Sequence, residues 1–310
     1  MNNYSEQEMI SALAKIFATP NELPVGIGDD GAVLPAGNGL PVICADMAVE
    51  GVHFKREWST LGEIGAKIAA ANLADIFAMG AVPKYLVVTA GLPRGFTSDE
   101  LAELAIGIKS EAQLVGAAVV GGDLSSSPVL TISITALGYL PEGATPITRA
   151  GAKAGENLIL SGLTGRSAAG LAALEKSVEN DFVAQHKKPI VSYQVAASMA
   201  QTGVSSMIDT SDGLLSEAHH LAAASGVRIE IDSESLKAAP HFSELAAAAS
   251  RLGIDVWEWI LTGGEDHEFL ATTSKVNPDG AFVIGEILPG NGVEVLGVSA
   301  NNKTGWTHFN

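Results

Sequence analysis

Aspartates in two signatures and three isolated settings are the residues of this chain best suited to chemistry. Gly28-Asp29-Asp30-Gly31 lies near the start, and Asp209-Thr210-Ser211-Asp212-Gly213 about two thirds of the way along. Between them, Asp46 follows the apolar run Pro41-Val42-Ile43-Cys44-Ala45, Asp75 sits inside Ala70-Ala71-Asn72-Leu73-Ala74-Asp75-Ile76-Phe77, and Asp123 ends Gly121-Gly122-Asp123. Neighbouring carboxylates repel by roughly 4 kcal/mol at about 4 Å and an effective dielectric near 20. A fold that gathers them therefore supplies a cation. Taken singly, an Asp-Gly pair reads as a turn. Five acidic signatures together, in apolar or glycine-rich company, read as oxygen ligands for divalent metal, the type magnesium selects. Neither a Gly-x-x-x-x-Gly-Lys-Ser/Thr loop nor the catalytic-loop and Asp-Phe-Gly signatures of protein kinases occur. Val25 to Gly31 offers glycines, but its acids would repel a phosphate unless a metal bridged them, so it reads as a magnesium holder.

Helices and strands must position these acids. Ser5-Glu6-Gln7-Glu8 has the capping-box pattern, and Met9, Ile10, Leu13, Ile16 and Phe17 follow at helical spacing, which predicts an opening amphipathic helix. A strand is predicted at about 40–46, a helix over 61–79 capped near Thr60 with Glu63 three residues on, a buried strand at 85–91, and a helix over 98–114. Leu130 to Thr135 alternates with period two, as a half-buried strand does. Glycines and prolines punctuate 141–156, where a domain boundary is expected. Beyond it, strands are predicted at 157–161, running into Asp209, and at 227–231. Helices are predicted after Ser167, near 190–201, over 214–224 and over 241–252. The mixture, without short repeats, predicts an α/β or α+β fold in two domains, residues 1–148 and 149–310.

Composition narrows the partners. Lys+Arg 18 against Asp+Glu 35 gives a net charge of −17, so no basic footprint for nucleic acid is visible. A polyanionic partner would have to be held through metal ions. The single Cys44 cannot form an intramolecular disulfide, and it reads as a small buried hydrophobe. The start lacks a secretory pattern, and no apolar run is long enough to span a membrane, so a soluble cytoplasmic protein is expected.

Six segments, in order, resemble the thiamine-monophosphate kinase family: Gly26-Ile27-Gly28-Asp29-Asp30; Asp46 with Gly51-Val52-His53-Phe54; Asn72 to Ala81; Gly121-Gly122-Asp123; Asp209 to Leu214; and Gly263-Gly264-Glu265-Asp266-His267-Glu268. The tail Gly305-Trp306-Thr307-His308-Phe309 is similar too. That family shares a superfamily with aminoimidazole ribonucleotide synthetase, selenophosphate synthetase and a hydrogenase-maturation protein.

The resemblance implies an N-terminal ATP- and magnesium-binding domain that dimerises into a shared barrel-like sheet, and a C-terminal α/β domain that completes the nucleotide and substrate site. It implies that Asp30, Asp46, Asp75, Asp123, Asp209 and Asp212, with Asp29 beside them, hold several Mg2+ ions. Gly122, Asp123, Arg149 and Ser211 would contact ATP, and His53, Glu265 and Trp306 the thiamine phosphate. Two departures are local: Cys44 and Ala45 precede Asp46 where relatives often carry hydroxyl residues, and Leu124-Ser125-Ser126-Ser127 replaces a threonine-rich stretch. The implied reaction is direct transfer of the γ-phosphoryl group of ATP to thiamine monophosphate in a homodimer, with no catalytic side chain acting as general base. Aminoimidazole ribonucleotide synthesis, a non-catalytic nucleotide-binding regulator and a metal-dependent phosphatase are the alternatives; a selenophosphate synthetase would need a reactive thiol in its N-terminal segment.

Overall fold

The computed structural model describes residues 6–17, 23–27, 31–275 and 277–298, which divide into two compact units, Met1–Ile76 with Ala81–Thr145 and Phe77–Gly80 with Pro146–Asn310. In the first unit the elements are α1 (Glu6–Phe17), β1 (Pro41–Val49), α2 (Leu61–Ala78, its last turn crossing into the second unit), β2 (Val82–Leu92), α3 (Ser98–Leu114), β3 (Ala118–Ser126) and β4 (Thr131–Tyr139). Two capping boxes set where its helices begin. Thr60 Oγ1 accepts from Glu63 N at 3.1 Å while Glu63 Oε2 accepts from Thr60 N at 2.8 Å. Thr97 and Glu100 repeat the exchange at 3.2 and 2.8 Å. Each such cap is worth about 1 kcal/mol.

The four strands form one sheet in the order β1-β4-β2-β3, antiparallel except for the parallel β2–β3 pair. Ile132, Ile134 and Ala136 of β4 and Leu86 of β2 are fully buried, as are Leu73 and Ile76 of α2. Burying each Leu or Ile contributes roughly 1.5–3 kcal/mol. α2 and α3 cross with their backbones in contact: a Cβ on Gly65 would lie 2.2 Å from Leu104 O, and one on Gly107 2.0 Å from Gly62 O. The odd-numbered residues of β1 face the other way, and Ile43 and Met47 are 66% and 55% exposed. Among the described residues β1 and β3 are open edges, so a single chain closes no barrel.

The second unit contains β5 (Asn157–Leu160), α4 (Arg166–Lys176), α5 (Val183–Lys187), α6 (Tyr193–Thr202), β6 (Ser206–Asp209), α7 (Leu214–Ser225), β7 (Arg228–Asp232), α8 (Ser233–Lys237), α9 (Phe242–Leu252), α10 (Val256–Thr262), β8 (Phe269–Thr273), β9 (Phe282–Leu288) and β10 (Gly292–Leu296). Its sheet runs β10-β7-β9-β5-β8-β6, with only β10–β7 parallel. Leu158, Leu160, Leu221, Ile229, Ile231, Leu245 and Ile284 form its buried core with the helices. β6 lies antiparallel to β8 with Asp209 opposite Phe269, so the segment leaving β6 and the segment entering β8 meet at one end of the sheet.

Among the described residues, no helix is long and apolar enough to cross a membrane.

Candidate functional site

In the first unit, Asp46 and Asp75 are half-buried and share the surroundings of Cys44. Asn72, on α2 one turn before Asp75, accepts from Asp46 N through Oδ1 at 3.0 Å and donates from Nδ2 to Ile68 O at 2.9 Å. Its carbonyl faces the Cys44 thiol at 3.4 Å. Burial pushes that thiol well up, and the charges of Asp75 and Asp46 and a hydrogen bond with Asp75 push it further, so Cys44 stays protonated beside two carboxylates. Asp123 lies on β3 opposite Thr89, and its strand position puts it on the sheet face opposite Asp46. Gly122 is required there, because a Cβ would sit 2.0 Å from Val88 O. His53 closes the turn after β1: its Nδ1 accepts from Val49 N at 3.1 Å, which leaves the ring hydrogen of the neutral form on Nε2. Asp29, Asp30 and Trp306 lie outside the described residues.

The second unit builds its polar site where β6 and β8 meet. Thr210 N donates to Glu268 O at 2.7 Å, His267 N to Thr210 O at 3.1 Å, Glu268 N to Thr210 Oγ1 at 3.0 Å, and Glu265 N to Ser211 O at 2.7 Å. These bonds zip the Asp209–Ser211 and Glu265–Glu268 segments together. Glu265 and His267 hold φ of 65° and 53°, a left-handed conformation costing a non-glycine residue of order 1–3 kcal/mol and concentrated at functional sites. The alternation turns Asp266 and Glu268 inward. Asp266 accepts from Gly165 N at 2.6 Å and from Ser167 N at 2.8 Å, capping α4, whose own N-cap residue, Gly165, has no side chain to do so. Glu268 pairs with Arg166 and accepts from Ser161 Oγ at 2.5 Å. His186 Nδ1 lies 3.0 Å from Ser167 Oγ and 3.6 Å from Glu265 Oε2.

The remaining acids face one another. Asp209 is buried and meets His267 Nδ1 at 3.0 Å. Glu217 of α7 accepts from Asp212 N at 3.3 Å, and its carboxyl is raised to about 7, first by burial and then by the charges of Asp209 and Asp212; the Asp212 N–H and the Arg149 guanidinium oppose the rise. Asp266 is raised to about 6 by burial, against Arg166 and the two backbone donors. Gly213 at φ 113° lets α7 start against the backbone of Thr262, which a Cβ would approach to 2.9 Å.

Among the described residues no three His, Cys, Asp or Glu side chains converge to hold a metal by themselves. The donor chemistry nevertheless fits a hard cation. Asp46 and Asp75 in one unit, and Asp209 and Asp212 in the other, are carboxylates whose charge adds to burial in raising a neighbour, Cys44 in the first and Glu217 in the second. Magnesium takes one or two carboxylates at a time and completes its shell with water and phosphate oxygens.

Arg166, His186, Glu217 and His267 were not singled out by type or spacing. Only the Gly-Gly-Glu-Asp-His-Glu pattern hinted at His267, and a pairing across 58 residues leaves no local signal.

The fold is a two-unit mixed α/β scaffold that carries acids on a strand, on a helix and in the segments between elements. The chain matches the AIR synthase related protein N-terminal domain over residues 28–140 and the corresponding C-terminal domain over residues 153–297. It is 39% identical to a thiamine-monophosphate kinase of Mycobacterium tuberculosis, across 100% of this chain and 93% of the relative. It is 34% identical to one of Bacillus subtilis, across 87% and 84%. The Aquifex aeolicus protein AaThiL, solved in complex with AMPPCP and TMP, superposes with a TM-score of 0.81 at 30% identity, covering 98% of this chain and 97% of that one. The chain belongs to the thiamine-monophosphate kinase family.

Proposed function

We infer that this protein transfers the γ-phosphoryl group of ATP to thiamine monophosphate, giving thiamine diphosphate and ADP. The observation that carries this reading is the full-length similarity to thiamine-monophosphate kinases, including a relative solved with an ATP analogue and TMP. An acceptor phosphate with a second pKa of about 6 is already ionised at neutral pH and needs no strong general base. The obstacle is repulsion between two anions, so positioning and charge stabilisation carry the reaction. When bound, Mg2+ supplies that charge. Asp30, Asp46, Asp75, Asp123, Asp209 and Asp212, with Asp29, are the proposed ligands for several ions. Gly122, Asp123, Arg149 and Ser211 are assigned to ATP, and His53, Glu265 and Trp306 to thiamine monophosphate. Transfer is direct and in line.

The proposed domains are 1–148, for nucleotide, metal and dimerisation, and 149–310, completing the nucleotide and substrate site. The homodimer is supported by the first unit's sheet, one face of which is covered at one end by Leu23, Ala32 and Leu34 but exposes Ile43, Met47 and Val87, the last 40% exposed, between two open edges. A barrel-like sheet shared by two subunits would cover that face. A cytoplasmic setting suits a nucleotide-consuming biosynthetic enzyme.

The test is incubation of the protein with ATP, Mg2+ and thiamine monophosphate, with free thiamine as a parallel acceptor, and chromatography of the products. Thiamine diphosphate from the monophosphate alone supports the reading. ATP binding without product, or inorganic phosphate released without acceptor, moves the protein to another acceptor or to a phosphatase.

A further inference from the structure

We propose that His267 is a positioning residue for cation binding, its Nδ1–H fixing the Asp209 carboxylate through Oδ2. The inference rests on the reading of Asp209 as a metal ligand. The two side chains are buried and lie 3.0 Å apart, and a carboxylate facing an imidazole nitrogen at that distance accepts from it. The imidazole has little freedom to point elsewhere, because the backbone on both sides of it is tied to Thr210, the residue that follows Asp209: His267 N donates to Thr210 O at 3.1 Å and Glu268 N to Thr210 Oγ1 at 3.0 Å. On either side, Asp266 and Glu268 turn inward to α4 and Arg166. The left-handed backbone at His267, with φ of 53°, is thus held by its neighbours and aims the ring at Asp209.

The contact restrains one oxygen of a buried carboxylate: Oδ2 is held by the ring, and the direction of Oδ1 is set with it. Partners of this kind orient ligating carboxylates, and losing one typically weakens metal binding about 10- to 100-fold.

The test uses Mn2+ as a spectroscopic substitute for Mg2+, titrated into the full-length protein with a non-hydrolysable ATP analogue, with free Mn2+ followed by electron paramagnetic resonance. His267→Leu should weaken Mn2+ binding about 10- to 100-fold. His267→Asn should bind close to the parent, because its amide nitrogen falls where Nδ1 was and Asn tolerates the left-handed backbone. If the Leu variant does not fold, His267→Gly relieves the backbone and should show the same loss. Unchanged affinity in a folded donor-less variant overturns the proposal, as does an Asn variant as weak as the Leu variant. Asp209→Asn separates the underlying reading: if it binds Mn2+ as tightly as the parent, Asp209 is no ligand, and the positioning role falls with that assignment. If Asp209→Asn binds weakly while the donor-less His267 variants bind like the parent, only the positioning role falls.

Discussion

The acids of the first unit and those of the second occupy opposite kinds of backbone. Asp46 and Asp75 sit on a regular strand and a regular helix, placed by an asparagine that bridges the two. Asp209, Asp212, Asp266 and Glu268 lie at or between element ends, in segments with glycine turns and left-handed residues. The second group also divides in function. Asp266 and Glu268 are consumed by the fold, one capping α4 and the other pairing with Arg166, whereas Asp209 and Asp212 face Glu217 and raise it. Carboxylates brought together from two distant segments of the sequence therefore serve as clamp or as candidate ligand according to what each touches.

Breaking the clamp gives the largest expected effect. Arg166→Ala leaves Glu268 buried without its counter-ion and should cost about 3–5 kcal/mol of stability in denaturant titration. Replacing a candidate ligand should spare the fold and remove function. Asp75→Asn or Asp212→Asn should lower turnover at least about 100-fold, near 2.7 kcal/mol of activation free energy, with a nearly unchanged melting profile. An Asp212→Asn variant with unaltered kinetics would place that residue with the clamps.

A pH comparison sharpens the same distinction. The folded-state pKa of Glu217 lies near 7, above its ordinary 4.5, so its contribution to stability is complete below about 4.5 and is lost as pH rises through 7. In metal-free protein, Glu217→Gln should therefore gain melting temperature relative to the parent at pH 8 and not at pH 4. A constant difference across that range would mean that neither burial nor the charges of Asp209 and Asp212 raise this carboxyl. The smallest effect is expected at Cys44, whose thiol is held protonated by burial and by Asp75 and Asp46. Alkylation followed by mass spectrometry should be slow in the folded protein at pH 8 and fast after unfolding.

Local chemistry made much of this legible in the sequence. The Thr60/Glu63 box starts α2 at Leu61, and the helix predicted over 98–114 matches Ser98–Leu114, because capping depends on residues only three apart. The alternating strand at 130–135 is real but runs on through Tyr139. Less was legible where long-range pairing overrides local propensity. Gly121-Gly122-Asp123 and the serines after it look like a loop, yet parallel pairing with β2 makes Ala118–Ser126 a strand. The region beyond residue 252 carries few periodic cues, and α10, β8, β9 and β10 take shape there through sheet pairing and burial of Trp259 and Phe269. The acids were visible as a class. Their division into clamps and candidate ligands was not, because Asp266 caps a helix that begins 100 residues earlier in the chain, at Arg166.

Direct transfer between two substrates is the central claim, and a rapid-quench single turnover with ATP labelled at the γ-phosphate tests it most directly. The label should move from ATP into the terminal phosphate of thiamine diphosphate, with none bound to protein at any time point. Labelled protein that forms and decays as fast as product appears would contradict in-line transfer, and label released only as inorganic phosphate would contradict the kinase reading itself.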